Sequence, residues 1–175
     1  MKNVKNVKLP SMIDISSKLP TQRVAIARAE VIIPNEVLKK ITIERDKNNN
    51  PIEIICKKGA IFNTAIVAGI LAIKNTPNII PFCHPIQLNH AKINLTLQIP
   101  SSSKSHKKKA KIVIESTVKA NDKTGVEMEA LVGVNIAALT VYDMLKMYSQ
   151  KIIIEKILLL KKTGGKHTFI CVSSN

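Results

Sequence analysis

The amino-acid sequence predicts an α+β domain in which helices cover one face of a mainly antiparallel sheet. The first observation is a set of short segments that alternate apolar and polar residues and are rich in valine and isoleucine, as strands are. The second is a pair of longer apolar segments, residues 60–76 and 124–146, whose composition is that of buried helices. Hydrophobic residues make up 45% of the 175-residue chain, which is enough to form one core.

The elements follow one another in a simple order. Residues 23–33 alternate and carry Val and Ile, so they are predicted to form a strand. Residues 34–41 begin with proline, which suits the first turn of a short helix, and residues 44–51 are polar enough for a loop. In the helix predicted at 60–76, small residues form a face that allows another backbone to approach closely: Ala65, Ala68, Gly69 and Ala72.

The next segment contains three prolines within nine residues, Pro77, Pro81 and Pro85. Because proline fixes φ, this loop is expected to be stiff and to hold His84 in place, although a lone histidine is more often structural. Two alternating segments then form a predicted hairpin, residues 92–99 and 111–119, with a serine- and lysine-rich solvated loop, 100–110, between them. The chain is predicted to end with a strand at 152–162, a glycine turn and a final short strand within 163–172.

The helix predicted at residues 124–146 is the element around which the others pack. Thr124 and Glu127 have the spacing of a capping box, so the helix is expected to begin just after that threonine. Apolar residues on every side predict a buried helix, and its charged residues are confined to the two ends. Asp143 and Lys146 are three residues apart and share one face. They form either a reactive pair or a plain surface ion pair.

Lys58 stands where the helix predicted at 60–76 begins. The free N–H groups of a helix start and a cation together make an anion site, but a solvated lysine is the commoner explanation in a lysine-rich chain. The formal net charge of +15 also raises nucleic-acid binding as a function. Because the chain has three arginines, 3% aromatic residues and no tryptophan, that function is a minor alternative to a small polyanionic ligand.

Residues 1–11 are interpreted as a short, flexible basic lead and residues 12–175 as a single domain. The lead lacks the apolar stretch of a secretory signal and the arginine-rich pattern of a transit peptide. The three cysteines, Cys56, Cys83 and Cys171, share no C-x-x-C spacing, which argues against a disulfide framework or a zinc site. We therefore expect a soluble, cytoplasmic protein with no membrane span, no metal and no cofactor.

Seven segments, in this order and at compatible spacing, resemble the MoaC family of cyclic pyranopterin monophosphate synthases, which act in molybdenum cofactor biosynthesis. They are MIDIS at 12–16, the Lys58-Gly59 pair, AGILAIKNT at 68–76, IIPFCHP at 79–85, KTGVEMEAL at 123–131, AALTVYDMLK at 137–146 and GGK at 164–166. The resemblance implies a ferredoxin-like fold and a lyase that converts 3′,8-cyclo-7,8-dihydro-GTP to cyclic pyranopterin monophosphate and diphosphate. It also implies a homohexamer, a trimer of dimers, with active sites between two subunits.

The resemblance assigns roles to residues of this chain as well. It implies an acid–base pair of Asp143 and Lys146, with Lys58 as a second catalytic lysine. The residues that should bind the nucleotide-derived triphosphate substrate are Phe82, Cys83, His84, Met128, Glu129, Glu127 and Arg23. Such a reaction needs cations for the phosphates, proton donors and acceptors for ring opening and closure, and stabilisation of the diphosphate that leaves. These steps do not demand a metal ion.

Four positions depart from the family pattern. Ala60 stands where the family usually has aspartate, Leu145 where cysteine is common, and His167 and Thr168 where serine and glycine follow the GGK segment. Because the Ala60 change removes a carboxylate beside Lys58, a homologue that keeps the fold with weakened catalysis is an alternative to an active synthase. For either catalytic lysine to carry a proton, burial or a neighbouring cation must lower its pKa, which a pocket between subunits could do.

Overall fold

The computed structural model describes residues 9–100 and 109–171, and this part of the chain forms two sheets and four helices. In chain order the elements are β1 (Thr21–Ile33), α1 (Asn35–Leu38), β2 (Thr42–Arg45), β3 (Pro51–Cys56), β4 (Gly59–Ala60), α2 (Ile61–Lys74), α3 (Thr76–Ile79), β5 (Leu88–Gln98), β6 (Ala110–Asp122), α4 (Glu127–Leu145), β7 (Ile153–Thr163) and β8 (Phe169–Ile170). Most of the predicted basic lead and of the predicted loop at 100–110 lies outside the described residues.

The long strand β1 is the centre of the main sheet, whose strand order is β5-β6-β1-β7-β8 and whose pairs are all antiparallel. Alternate side chains of β1 are fully buried in the core: Ala25, Ala27, Ala29, Val31 and Ile33. Helix α4 packs over β1, β6 and β7, and α2 packs over β5 beside it. The fold is therefore the ferredoxin-like α+β arrangement that the sequence predicts, with its two long helices on one face of the sheet.

The two long helices pack closely against each other through glycines. A Cβ atom built on Gly69 of α2 would lie 3.0 Å from the carbonyl oxygen of Gly133 in α4. A Cβ atom on Gly133 would lie 2.5 Å from Cγ1 of Ile73, which is itself fully buried. The small-residue face predicted on the first helix is thus confirmed, since it lets the α4 backbone approach.

Two predictions about α4 are wrong. The helix begins at Glu127 with Val126 as its N-cap, and no side chain caps it; Thr124 lies two residues too early, and the Glu127 carboxylate pairs with Lys162 instead. The helix is also not buried all round, because the Leu139 side chain is 52% exposed in the single chain. By length and hydropathy α4 would pass as a membrane span, but 56% of the residues in that window are buried inside the fold, as in a core helix.

The small sheet β2-β3-β4 was not predicted, because charged residues interrupt the apolar pattern of its strands. The loop predicted at 44–51 is confirmed at its centre, residues 46–50, where Oδ1 of Asp46 accepts hydrogen bonds from the N–H groups of Asn48 and Asn50. This loop joins β2 to β3, and β3 then pairs with the two-residue strand β4. The consequence is that Lys58 lies in the turn of a β-hairpin immediately before α2.

Gly164, just after β7, provides a test of this fold. Its φ is +92°, and a Cβ atom there would lie 1.9 Å from the carbonyl oxygen of Gln22 in β1. Gly164→Ala is expected to lower the free energy of unfolding by at least about 2 kcal/mol, because both the backbone and the strand beside it must shift. Denaturant unfolding measures this. Gly165→Ala is the control, since its φ is not positive and its Cβ would lie 3.1 Å from Nη1 of Arg23, a side-chain atom that needs to shift by only a few tenths of an ångström. Equal losses would contradict the assignment.

Candidate active site

Asp143 holds two lysines at the C-terminal end of α4. Its Oδ1 lies 2.7 Å from Nζ of Lys146, the C-cap residue, and its Oδ2 lies 2.6 Å from Nζ of Lys58. The Lys58 ammonium also donates to the Asp143 carbonyl oxygen at 2.9 Å. We call these three residues the lysine–aspartate site. The sequence left open whether Asp143 and Lys146 form only a surface ion pair between helix neighbours. The structure adds a third member, Lys58, from a hairpin that is distant in sequence.

The charges of the lysine–aspartate site stabilise one another. Hydrogen bonds from Lys146 and then Lys58 lower the pKa of Asp143 to about 2, and the Asp143 carboxylate raises the pKa of Lys146. A lysine that carries a proton was expected from the sequence to have a lowered pKa. In the single chain the pKa of Lys146 is raised instead. Lys146 is therefore held in its charged, protonated form.

A second group of the predicted residues lines a cleft of about 360 Å³ at the other end of α4, which we call the proline-loop cleft. Its lining comes from the loop after α3, the start of α4 and the segment before β1: Phe82, Cys83, His84, Ile86, Thr124, Gly125, Glu127, Met128, Glu129, Ile13, Ile15 and Lys18. Nε2 of His84 lies 2.8 Å from the carbonyl oxygen of Ile13, so the N-terminal segment is tied to this loop.

Glu129 is the most perturbed acid of the proline-loop cleft. Its side chain is 3% exposed, and burial, with a smaller contribution from the negative charge of Glu127, raises its pKa to about 7. Burial and then the Glu129 charge also raise the pKa of the Cys83 thiol. An acid that titrates near neutral pH is suited to give and take protons. The sequence named Glu129 as a lining residue, but its pKa depends on burial that only the fold creates.

A third group of residues forms the basic cleft, about 550 Å³ in volume, which adjoins the proline-loop cleft and shares Lys18, Thr124, Gly125 and Glu127 with it. Its cationic lining residues are Lys18, Arg23, Lys123, Lys162 and Lys166, against the single carboxylate of Glu127. Of these cations the sequence analysis named Arg23 alone. Lys123 and Lys166 lie within the matched segments KTGVEMEAL and GGK but were given no role there. Lys18 and Lys162 were missed because nothing local distinguishes them from the many other lysines of the chain.

Three contacts hold the basic cleft in shape. The Arg23 guanidinium donates from Nε to the carbonyl oxygen of Asp122 at 3.0 Å and from Nη2 to that of Lys123 at 3.1 Å. Nζ of Lys162 lies 3.0 Å from Oε1 of Glu127, which offsets part of the positive charge. The cleft retains an excess of cations next to the partly apolar proline-loop cleft, an arrangement suited to a ligand with an anionic tail.

The predicted site residues thus fall into two places rather than one. From Glu129 to Asp143 is fourteen helical residues, or about 21 Å along α4 at 1.5 Å per residue. Within one chain, the lysine–aspartate site and the two clefts lie at opposite ends of the same helix. Among residues 9–100 and 109–171, histidine, cysteine, aspartate and glutamate side chains form no cluster of three or more suited to a metal ion.

The departures from the family pattern have separate structural settings. Ala60 is the N-cap of α2 and makes no side-chain bond there; the carboxylate of Glu53 in β3 accepts the first free N–H groups of α2 instead. Leu145 is fully buried in the core, so its effect is one of packing. His167 lines the basic cleft, and Thr168 is exposed beside it.

A ferredoxin-like α+β fold with a lysine–aspartate site at one end of α4 and a cation-lined cleft at the other has the charge distribution of an enzyme for an anionic small molecule. The chain belongs to the MoaC family, whose model matches residues 12–165. It is 41% identical to the cyclic pyranopterin monophosphate synthase of Thermoanaerobacter pseudethanolicus over 155 residues, which is 89% of this chain and 87% of that protein.

Longer relatives contain a similar region. The chain is 44% identical over 171 residues to molybdenum cofactor biosynthesis protein 1 of Dictyostelium discoideum, covering 93% of this chain and 26% of that protein. It is 40% identical over 157 residues to a molybdenum cofactor biosynthesis bifunctional protein of Synechocystis, covering 90% of this chain and 42% of that protein. The chain therefore spans less than half the length of these two relatives.

The raised pKa of Glu129 predicts how stability depends on pH. The folded state binds a proton up to about pH 7, whereas the unfolded state releases it near 4.5, so Glu129 makes the protein less stable as pH rises between these values. Glu129→Gln removes this dependence and should stabilise the protein above pH 7 by up to roughly 3 kcal/mol, because each unit by which the pKa is raised corresponds to about 1.4 kcal/mol. Chemical denaturation of both proteins from pH 4 to 8 tests this. A constant difference between them would contradict it.

Proposed function

We propose that the protein is a cyclic pyranopterin monophosphate synthase of molybdenum cofactor biosynthesis. The observation that carries the proposal is the lysine–aspartate site, in which Lys58 reaches Asp143 at 2.6 Å and Lys146 reaches it at 2.7 Å. These are the three residues to which the family resemblance assigns catalysis. Membership of the MoaC family and relatives named for this activity support it further. Because all three groups are present and in contact, the alternative of weakened catalysis has no support in the described site.

In this proposal each of the three groups of residues acts on a different part of the cyclised GTP substrate. The cations of the basic cleft bind the triphosphate, and the proline-loop cleft holds the ring system beside Glu129. A substrate hydroxyl gives its proton to the Glu129 carboxylate, and its oxygen attacks the α-phosphorus. The bond from that phosphorus to the oxygen bridging the β-phosphate breaks, and diphosphate leaves with its negative charge stabilised by lysines. Lys146, which is held charged by Asp143, donates a proton during the ring rearrangement.

We propose further that the working site is assembled from two copies of this chain. The lysine–aspartate site and the clefts are about 21 Å apart along α4, too far for one nucleotide-sized substrate to touch both in one subunit. The outer surfaces of the helix pair also carry exposed apolar side chains, Val67, Leu71 and Leu139, that a neighbouring subunit would cover. A homohexamer, as the family resemblance implies, and a cytoplasmic location complete the proposal.

Substitution of the lysines tests the chemistry. Lys58→Ala and Lys146→Ala should each lower the rate of diphosphate release by at least about 100-fold, since each removes a group that acts in the reaction. Lys146→Arg should fail as well, because a guanidinium stays protonated at any working pH and cannot transfer a proton. Single-turnover diphosphate release measures these rates, and thermal melting checks that the variants fold. Near-normal turnover by Lys146→Arg would leave Lys146 as an anion-binding residue.

Mixing inactive subunits tests assembly of the site. Lys58→Ala and His84→Ala damage opposite ends of α4, so co-refolded mixtures should regain activity, with roughly a quarter of the sites holding both intact halves. A mixture of Lys58→Ala and Lys146→Ala is the control, because both changes fall in the same half and no intact site can form. Recovery in neither mixture, or a monomer by light scattering with full activity, would contradict a shared site.

A further inference from the structure

Glu53 of β3 is a buried carboxylate that belongs to none of the three groups described above. Its side chain is 6% exposed. Oε1 accepts the backbone N–H groups of Ile54 and Phe62, each at 2.7 Å, and Oε2 accepts that of Asn63 at 3.0 Å. Three donors on one carboxylate satisfy the group that the fold has removed from water.

Two of these donors belong to the first turn of α2. Phe62 and Asn63 are its second and third residues, and their N–H groups are the ones that an N-cap side chain normally accepts. The N-cap residue is Ala60, which has an extended backbone and no side chain able to do this. Glu53 therefore caps α2 from a neighbouring strand and places negative charge at the positive end of the helix dipole.

The same bonds close the hairpin that carries Lys58. Between Glu53 and α2 the chain passes along β3, turns at Lys58 and returns along β4, and the two strands pair through Ile55 with Ala60 and Cys56 with Gly59. Two residue pairs are a weak anchor on their own. The Glu53 carboxylate fastens the base of this hairpin to α2, while the N–H of Lys57 at its tip donates to the Tyr148 hydroxyl at 3.0 Å.

We propose that Glu53 is a positioning residue, which holds this hairpin so that Nζ of Lys58 meets the Asp143 carboxylate. The proposal rests on the proposed function, in which Lys58 takes part in the reaction. Glu53 itself does not touch substrate; it fixes the backbone from which the lysine extends. Loss of the carboxylate frees the first N–H groups of α2 and lets the hairpin move relative to α4.

Glu53→Ala tests the proposal, because a positioning residue should affect the rate of the reaction much more than the binding of substrate. At saturating substrate, the rate of single-turnover diphosphate release is expected to fall roughly 30- to 100-fold, because a displaced catalytic group reacts more slowly. KM should stay within about twofold of the wild-type value. Adding Ala60→Asp supplies a carboxylate at the N-cap and should restore the rate to within about tenfold of the wild type. A rate loss that Ala60→Asp does not reverse would overturn the positioning role.

Glu30→Ala is the matched control. Glu30 is 4% exposed and bonded, like Glu53, but its partners are Lys111 at 2.9 Å and Lys156 at 3.3 Å rather than the start of α2. Its loss should leave the rate of diphosphate release within about threefold of the wild type, as for a structural group remote from the reacting residues. An equal loss of rate in both variants would overturn the proposal.

A second readout does not depend on activity. Limited acetylation with acetic anhydride, followed by mass spectrometry, gives the labelling of Lys58 relative to Lys146 in the same molecule. The ratio should rise several-fold in Glu53→Ala and stay constant in Glu30→Ala. If the wild type releases no diphosphate, the proposed function has failed, and this ratio still decides the role of Glu53. An unchanged ratio would overturn that role.

If Glu53→Ala does not fold, Glu53→Gln replaces it as the test variant. Its amide oxygen still accepts from Ile54 and Phe62, but its NH2 group faces the N–H of Asn63 and loses that bond. A smaller loss of rate, about 5- to 20-fold, and a smaller rise in the labelling ratio are expected. A folded Glu53→Gln protein with the rate and ratio of the wild type would overturn the proposal.

Discussion

The close crossing of α2 and α4 is the contact on which the rest of the structure depends. Gly69 and Gly133 meet there, and the two helices are antiparallel, because Lys58 just before α2 contacts Asp143 near the end of α4. Lys58 lies eleven residues before Gly69, and Asp143 lies ten residues after Gly133. The crossing point therefore determines that these two side chains arrive at the same place. A bulkier residue at either glycine would separate the helices and, with them, Lys58 and Asp143.

The dipole of α4 favours the charged side chains that lie at each of its ends. The last carbonyl groups of a helix lack partners and carry partial negative charge, and here the Lys58 ammonium binds the carbonyl oxygen of Asp143 as well as its carboxylate. At the other end, Glu127 lies in the first turn, where negative charge is favourable, and its pairing with Lys162 links that turn to the basic cleft. The helix therefore organises both sites by its dipole as well as by its length.

The sequence predicted much of the fold, because β1, β5, β6 and β7 alternate apolar and polar residues and because α2 and α4 are long, mainly apolar segments. It missed the β2-β3-β4 sheet, where Glu53 looks like an interruption of a strand and is in fact the cap of α2. It misplaced the start of α4, because Thr124 has the right spacing for a cap but the backbone is not yet helical there. It named every member of the lysine–aspartate site through family resemblance. The lysines of the basic cleft come from separate segments that the fold alone brings together.

Assembly would also change the chemistry of the lysine–aspartate site. In the single chain Asp143 is about half exposed, and its ion pairs raise the pKa of Lys146. A lysine that must give up its proton and regain it works best when that pKa is moderate. Covering the site with a second copy removes water, which disfavours the charged form of a lysine, and brings further cations of the basic cleft nearby. Because the two half-sites are separated along α4, the complete site would form only when two copies assemble. The lower lysine pKa that proton transfer needs would arise in the same step.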